Sequence, residues 1–394
     1  QDFERIEIIN DHEFIIHWSR VFQGSVAFTL GLSPLPRWLY GYDEDGNELS
    51  EAAFAAAFNQ HWFMDKMIGV GPYRFVEWEP NVRIVLERNE NYFDESPPIQ
   101  RVIFRIVEDE NARLNNLLSN DLDYIGILPF QYEQLITNRG EEAFHNGEVD
   151  HAVYQGTVYR YLGWNADNPR FSDRRIRRAM THAFNRERII RDIMHGLGRI
   201  QTGNFFIDSS YNNPDVEPWP FDLEEAARLL DQSGWVDSDG DGIRDKVVDG
   251  ESLDFEFRMT CYGYRQEFMA AMEIYKSDLA SIGIEMHIDG VQWPVMIETM
   301  QNRTFDAYTG GWVMGWDADP YQIWHSTQAD DPNGSNRVGF RNEECDEIIE
   351  TARQTFELDE RIALFHRFHE IIHEEQPYTF FMAGREIAAW RSHI

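Results

Sequence analysis

The sequence GVGPYRFVEW at residues 69–78, continued by LERNENYF at residues 86–93, carries the most structural information in this chain. Its G-x-G-P start favours a turn, because glycine tolerates positive φ and proline fixes φ at about −65°. Tyr73 and Phe75 then alternate with polar neighbours, as in a half-buried strand. Alternation resumes after a second turn at residues 79–81, so the segment predicts a β-hairpin.

The composition of the chain limits the classes of partner that it can bind. Its formal net charge of −34 repels nucleic-acid phosphates and anionic membrane surfaces, so neither is expected as a partner. The 394 residues are 42% hydrophobic, which is enough for large cores and favours two or three domains. No apolar run approaches the roughly 20 residues that a membrane-spanning helix needs.

The basic residues are strongly biased, because only three of the 35 are lysines. An acid-rich, lysine-poor surface is typical of halophilic proteins, where counterions screen the self-repulsion. A GC-rich genome that favours arginine codons would produce the same bias. Both explanations stay open at this point.

Several motifs that mark common enzyme classes are absent from the sequence. It contains no P-loop, dinucleotide fingerprint or G-x-S-x-G motif. The two cysteines, Cys261 and Cys345, permit either one disulfide or two buried free thiols, and the sequence does not decide between them.

Strands and helices alternate in the second half of the chain, which predicts an α/β domain with helices on both faces of its sheet. Alternating apolar residues predict strands at residues 160–165, 253–260, 284–288, 305–312 and 379–383. Helical periodicity predicts helices at residues 173–194, 266–282 and 293–300, with two more within 345–374. Near the start, residues 5–18 predict a further hairpin.

Five segments resemble the extracellular solute-binding proteins of the oligopeptide/dipeptide ABC transporter family, solute-binding protein family 5. The hairpin at residues 69–93 resembles the signature segment of that family. The other four follow in the order that the family has them, at residues 109–125, 161–189, 223–235 and 305–320. Order and spacing agree from about residue 60 to the C-terminus, so the resemblance covers most of the chain.

The resemblance implies an α/β fold of the class II periplasmic-binding-protein type, a two-lobed clam-shell that closes on its ligand by hinge motion. It implies the substrate-binding component of an ABC importer, which captures peptides or another small solute, is not an enzyme and requires no cofactor. The expected partner is a membrane ABC permease. The protein is expected to be monomeric and periplasmic or extracellular, with a lipid anchor in the full-length form.

The resemblance also implies a domain plan. Residues 69–162 with 377–394 are expected to form a discontinuous first lobe, and residues 163–376 the second, α/β lobe. Residues 1–68 are expected to be the remnant of an N-terminal subdomain, because the signature segment lies well inside the mature proteins of the family. We therefore expect an N-terminally truncated chain.

The strongest ligand-site candidate is the sequence GWVMGWDADP at residues 311–320, which joins a predicted strand to a loop. In peptide-binding family members, an aspartate shortly after the first tryptophan pairs with the peptide α-ammonium. Gly315 occupies that spacing here, so Asp317 is predicted to take the role. The alternative is that Asp317 or Asp319 only caps the turn before Pro320.

Aromatic residues are predicted to contact the side chains of the ligand, since apolar walls accept many peptides. The resemblance gives two such positions, Trp312 and Trp293. Weaker candidates of the same kind are Trp316, Tyr161 and Trp164. The alternative for each of them is ordinary core packing.

The loop DSDGDGIRD at residues 237–245 predicts a structural calcium site, because oxygen atoms at alternate positions of a glycine-rich loop can surround Ca²⁺. The predicted ligands are Asp237, Asp239, Asp241, the carbonyl of Ile243, and Asp245. The twelfth position lacks the bidentate glutamate of an EF-hand, so we expect weak binding. A solvated acidic turn is the alternative.

Two other functions remain open from the sequence. Clustered acids and tryptophans also suit a carbohydrate-binding or carbohydrate-active protein with an acidic, Trp-rich cleft. A glycosidase needs two carboxylates about 5–10 Å apart across that cleft, and no such pair is identifiable. The third function is that of a sensor or chaperone which keeps the binding fold without transport.

Overall fold

The computed structural model of the chain begins with the hairpin predicted at residues 5–18. Strand β1 (Phe3–Asn10) pairs antiparallel with β2 (Glu13–Trp18), and both strands are largely exposed. The structure describes residues 3–19, 23–32, 35–50, 52–54, 67–263, 266–316, 319–331 and 333–394. Two short helices follow, α1 (Ser25–Leu30) and α2 (Arg37–Tyr40).

The GVGPYRFVEW segment opens a three-stranded antiparallel sheet. Strand β3 (Tyr73–Glu79) and β4 (Arg83–Arg88) form the predicted hairpin, and β4 also pairs with β5 (Arg101–Arg105). The turn contains Asn81 at a φ of 61°, a left-handed conformation in which asparagine is enriched. The predicted hairpin is confirmed.

Local capping then fixes a short helix. The Asp109 carboxylate accepts a hydrogen bond from the backbone N–H of Ala112 at 2.7 Å and begins helix α3 (Glu110–Leu118). Strand β6 (Tyr124–Ile127), helix α4 (Pro129–Gln131), a π-helical turn (Tyr132–Thr137) and a 3₁₀ turn (Glu142–Phe144) follow.

The backbone separates into two compact units. One comprises Val26–Ile125, and the other comprises Gln1–Ser25 together with Gly126–Ile394. The three-part domain plan from the sequence stays a prediction.

The larger unit contains the strands β7 (Val149–Trp164), β8 (Gly198–Ile200), β11 (Glu256–Tyr262), β12 (Glu285–Val291), β13 (Ala307–Val313) and β14 (Tyr378–Arg391). With β6 they form a mixed sheet in the order β12-β11-β13-β7-β14-β6, and β8 pairs with β14. Strand β11 runs parallel to β12 and β13, whereas β7 is antiparallel to both β13 and β14. Strands β9 (Asp245–Val248) and β10 (Glu251–Asp254) form a separate hairpin.

Helices bury this sheet in two hydrophobic clusters. The helices are α5 (Arg174–His182), α6 (Arg186–Asp192), α7 (Leu223–Gln232), α8 (Gln266–Ala280), α9 (Trp293–Gln301), α10 (Tyr321–Trp324), α11 (Thr327–Asp330), α12 (Glu343–Gln354) and α13 (Leu358–Glu375). One cluster joins the sheet to residues of α5 to α8, and the other joins it to residues of α12 and α13. The predicted mixed α/β architecture is confirmed.

Two predicted element boundaries are wrong. The helix predicted at residues 173–194 is two helices, because Ala183 ends α5 and the Asn185 side chain accepts from the Arg188 N–H to begin α6. The apolar periodicity continues through that break and conceals it. The strand predicted at residues 253–260 is divided at Phe255, because β10 pairs with β9 whereas β11 pairs with β12 and β13.

The two cysteines are free thiols in separate places. Cys261 lies in the first hydrophobic cluster and Cys345 in the second, and both are fully buried. Burial raises the pKa of the Cys261 thiol to about 12, so it is an inert core residue at neutral pH. Among the described residues, no helix is both long enough and apolar enough to cross a membrane.

Helix α13 carries a histidine, His369, that is completely buried. Its Nδ1 accepts from the backbone N–H of Asn213 at 3.0 Å, which places the proton of the neutral ring on Nε2, 3.0 Å from the Thr202 hydroxyl oxygen. Burial lowers the pKa of His369 to about 3, and His373 and His366 nearby contribute in the same direction. The folded protein therefore holds this ring neutral in mildly acidic solution.

We expect His369 to make folding stability depend on pH. Because the pKa of histidine in the unfolded chain is about 6.5, the unfolded state binds a proton first as the pH falls, and the free energy of unfolding decreases. The loss attributable to His369 should reach roughly 2.5 kcal/mol by pH 4.5. Urea denaturation between pH 7 and 4.5 should show a flatter profile for His369→Gln than for the wild type. Exposed His145, replaced by Gln, is the control, and parallel profiles for all three proteins would contradict the prediction.

Candidate functional site

A cavity of about 500 Å³ lies within the unit that contains Gly126–Ile394. Strands β7 and β13 form its floor, and helices α8 and α9 form its walls, together with the last residue of β11. Its described lining is mostly aromatic and aliphatic, and the polar members are arginines, a glutamine, a threonine and tyrosines. Cavities of this size and character bind small molecules or single side chains of larger ligands.

Three tyrosines make the floor rigid. The Tyr161 ring stacks on Tyr378 with centroids 3.8 Å apart, and its hydroxyl lies 3.1 Å from that of Tyr308. The Trp312 indole N–H donates to the Tyr378 hydroxyl at 3.4 Å. Burial raises the pKa of Tyr161 and of Tyr308 well above the ordinary value, so these phenols stay neutral. The floor is therefore a set of neutral hydroxyl groups that hold one another in position.

Two glycines of β13 leave space at the cavity floor for side chains of the neighbouring strand β7. In the antiparallel register, Gly310 is opposite Tyr161, and Gly311 is opposite Arg160. A Cβ atom at Gly310 would lie 2.5 Å from the Tyr161 ring, and one at Gly311 would lie 2.7 Å from an Arg160 nitrogen. Glycine is required at both positions because these side chains approach the backbone so closely.

Flexible side chains form the opposite wall. Helix α9 contributes Trp293, Met296, Ile297 and Met300, and α8 contributes Phe268 and Met272. Met296 is almost fully buried, whereas Trp293 is 55% exposed and packs its ring against Tyr262 at 5.7 Å. Methionine adapts to differently shaped partners, so this wall can accept varied apolar groups.

The structure brings only some of the predicted ligand residues to this cavity. Tyr161, Trp293 and Trp312 line it. Trp164 does not, since it is fully buried in the core and donates to the Thr379 hydroxyl at 3.1 Å. Trp316 is exposed and packs against Phe206 outside the described lining. Asp317 lies outside the described residues, so its role stays a prediction.

Several lining residues are not evident from the sequence. The sequence pattern gives helix α9 but not the direction of its Met296 side chain. The two arginines, Arg160 and Arg337, carry no motif, and only the register of β7 and the path of the loop before α12 bring them together. Alternation along β7 gives no signal for this pair, because Arg160 and Tyr161 are successive residues and start from opposite faces of the strand.

The acidic loop forms a compact group of carboxylates away from the cavity lining. Oxygens of Asp237, Asp239 and Asp245 lie within 4.8 Å of one another, and Asp241 does not belong to this group. The loop folds around Asp237, whose two oxygens accept from the N–H groups of Gly240 and Gly242. Three hard oxygen donors suit Ca²⁺ chemically, and the calcium site stays a prediction.

The larger unit thus combines a mixed α/β sheet with an adaptable apolar cavity. Residues 1–334 match the family described as bacterial extracellular solute-binding proteins, family 5 middle, and the chain belongs to this family. It is 31% identical, over 322 residues, to the oligopeptide-binding protein AppA of Bacillus subtilis (strain 168). That match covers 80% of this chain and 56% of the relative, so this chain spans little more than half of AppA.

Other similarities extend over nearly the whole chain. The dipeptide-binding protein of Escherichia coli (strain K12) is 22% identical over 382 residues, which cover 95% of this chain and 67% of the relative. The solved structure of Bacillus subtilis AppA in complex with a nonapeptide superposes with a TM-score of 0.83 at 26% identity. The superposition covers 99% of this chain and 74% of the AppA chain. The predicted periplasmic-binding-protein fold class is confirmed.

We expect Gly310→Ala to destabilise the protein. The new methyl group would overlap the buried Tyr161 ring and break its stack on Tyr378, and overpacking of this kind costs about 1–3 kcal/mol. Chemical denaturation would measure the loss. Gly315→Ala is the matched control, since a Cβ there meets nothing within 4 Å. Equal stability of the two variants would contradict the close approach at Gly310.

We expect Ca²⁺ to raise the melting temperature of the wild type if the acidic loop binds it, because a ligand bound only to the folded state stabilises that state. The double variant Asp237→Asn/Asp239→Asn should lose this calcium-dependent rise. Differential scanning calorimetry in millimolar CaCl₂, with MgCl₂ as the control for ionic strength, would make the measurement. The same rise in both salts, or in both proteins, would identify a solvated acidic turn instead.

Proposed function

We propose that this protein is the substrate-binding component of a bacterial ABC importer and that its ligand is a peptide. The observation that carries the proposal is the cavity lined by Tyr161 and Tyr308, whose aromatic and methionine walls can accept varied side chains. Membership of solute-binding family 5 supports it. Relatives named oligopeptide-binding and dipeptide-binding proteins support the peptide in particular.

The cavity favours a peptide over the other solutes found among the relatives. Two of them bear the names heme-binding protein A and nickel-binding periplasmic protein. The described cavity lining contains no carboxylate, imidazole or thiol group that would bind a metal ion. Nothing in the comparisons supports the carbohydrate alternative.

The proposal includes the finer expectations from the sequence. Asp317 is kept as the group that pairs with the peptide α-ammonium, and a membrane ABC permease as the partner. The protein would act as a monomer without catalysis, outside the cytoplasmic membrane, with a lipid anchor in its full-length form. The net charge of −34 supports the expectation that it does not bind nucleic acid and suits a high-salt habitat.

Native mass spectrometry with a random peptide library tests this function directly. We expect retained peptides with the wild type, and at least tenfold weaker binding for Trp312→Ala, since buried aromatic anchors commonly supply more than about 1.4 kcal/mol. Phe356→Ala, which removes an exposed aromatic from the loop between α12 and α13, is the control and should bind like the wild type. Retention of no peptide, or turnover of an oligosaccharide, would overturn the proposal.

A further inference from the structure

The cavity has a charge opposite to that of the protein that surrounds it. The whole chain has 69 acidic and 35 basic residues. The described lining nevertheless includes two arginines, Arg160 and Arg337, and no aspartate or glutamate. Positive charge concentrated in a partly enclosed, low-dielectric space acts strongly on a bound anion.

The positive charge of Arg337 is not balanced by an ion pair in the described part of the chain. Within the described parts of the chain, its partly buried guanidinium has no ion-pair partner and donates no hydrogen bond. It acts on two tyrosines of the floor: burial raises the pKa of Tyr308 and of Tyr378, and Arg337 opposes that rise. Partly buried charges are usually paired, so Arg337 retains the capacity to pair with an incoming group.

Two carboxylates beside the loop that contains Arg337 are occupied by other arginines. Asp330 accepts from Arg341 at 2.7 Å. Asp167 accepts from Arg303 at 2.9 Å and lies 3.7 Å from Arg341. These ion pairs occupy two of the carboxylates near Arg337. A third, Asp331, lines a neighbouring cavity together with Arg337, and among the described residues no ion pair joins the two.

Arg160 adds a second positive charge at the floor. Its guanidinium carbon lies 5.3 Å from the centroid of the Phe268 ring, a cation–π contact that fixes its position. Gly311 leaves the space that the Arg160 side chain occupies across β13. The two arginines thus come from different elements, one from β7 and one from the loop before α12, and meet around one cavity.

We propose that Arg337 binds a carboxylate of the ligand inside this cavity, with Arg160 adding to the positive field. The inference rests on the proposed peptide-binding function and specifies which peptides the site prefers. A guanidinium group matches a carboxylate geometrically, because two parallel N–H groups can donate to its two oxygens. The carboxylate comes either from the peptide C-terminus or from an aspartate or glutamate side chain.

Three peptide pools distinguish these sources. Each is a mixture of hexapeptides randomised over alanine, leucine, phenylalanine and serine: one with a free C-terminal carboxylate, one with a C-terminal amide, and one amidated but with a single glutamate. Isothermal titration calorimetry at low ionic strength would measure the affinity of each pool for the wild-type protein. We expect one or both carboxylate-containing pools to bind about 10–100-fold more tightly than the plain amide pool, as charged hydrogen bonds allow.

Variants then assign the preference to one residue. Arg337→Gln should bind all three pools with the wild-type affinity for the plain amide pool, and Arg337→Lys should keep part of the preference. Arg341→Gln is the matched control: it removes an arginine that is four residues away and outside the cavity lining, and it should keep the full preference. Thermal melting of each variant reports whether it folds.

The outcomes separate this inference from the function on which it rests. Equal affinity of the wild type for all three pools would overturn carboxylate recognition and leave peptide binding intact. A preference that survives in Arg337→Gln would overturn the assignment to Arg337. If no pool binds, the proposed function fails, and this inference fails with it.

Discussion

The pairing of strand β7 with a neighbour on each side is the constraint on which the larger unit depends. Strand β14 pairs antiparallel with β7 over most of its length, and β13 pairs antiparallel with its C-terminal part, residues 158–164, on the other side. Because side chains alternate along a strand, Tyr159 and Tyr161 enter one hydrophobic cluster, while Leu162 and Trp164 enter the other. A slip of one residue would exchange these sets and bring the wrong side chains to both cores.

The same register creates the candidate site. It places Gly310 under Tyr161 and Gly311 under Arg160, so the aromatic floor and one of its charges arise from a single cross-strand alignment. Helix α9 adds the adaptable wall, and the loop before α12 adds Arg337. The core packing and the candidate site therefore share one structural cause, and a substitution on β7 or β13 is expected to act on both.

Local patterns allowed much of this to be predicted. The turn residues and alternation at residues 69–93 gave the hairpin, and the resemblance gave Trp293 and Trp312, which do line the cavity. Features that depend on long-range register could not be predicted in this way. Arg337 lies in a loop without periodicity, and Trp164 differs from Tyr161 only in the face of β7 that it occupies. The break between α5 and α6 was missed because core contacts continue across it.

The bond between the Trp312 indole and the Tyr378 hydroxyl has a spectroscopic consequence. Trp312 lies at the cavity, and through Tyr378 it is coupled to the stacked ring of Tyr161. Exclusion of water from this indole by an entering ligand should move its fluorescence to shorter wavelength, and the nearby phenols can transfer excitation to it. The protein thus carries its own optical probe of occupancy, and ligand entry can be timed without a label.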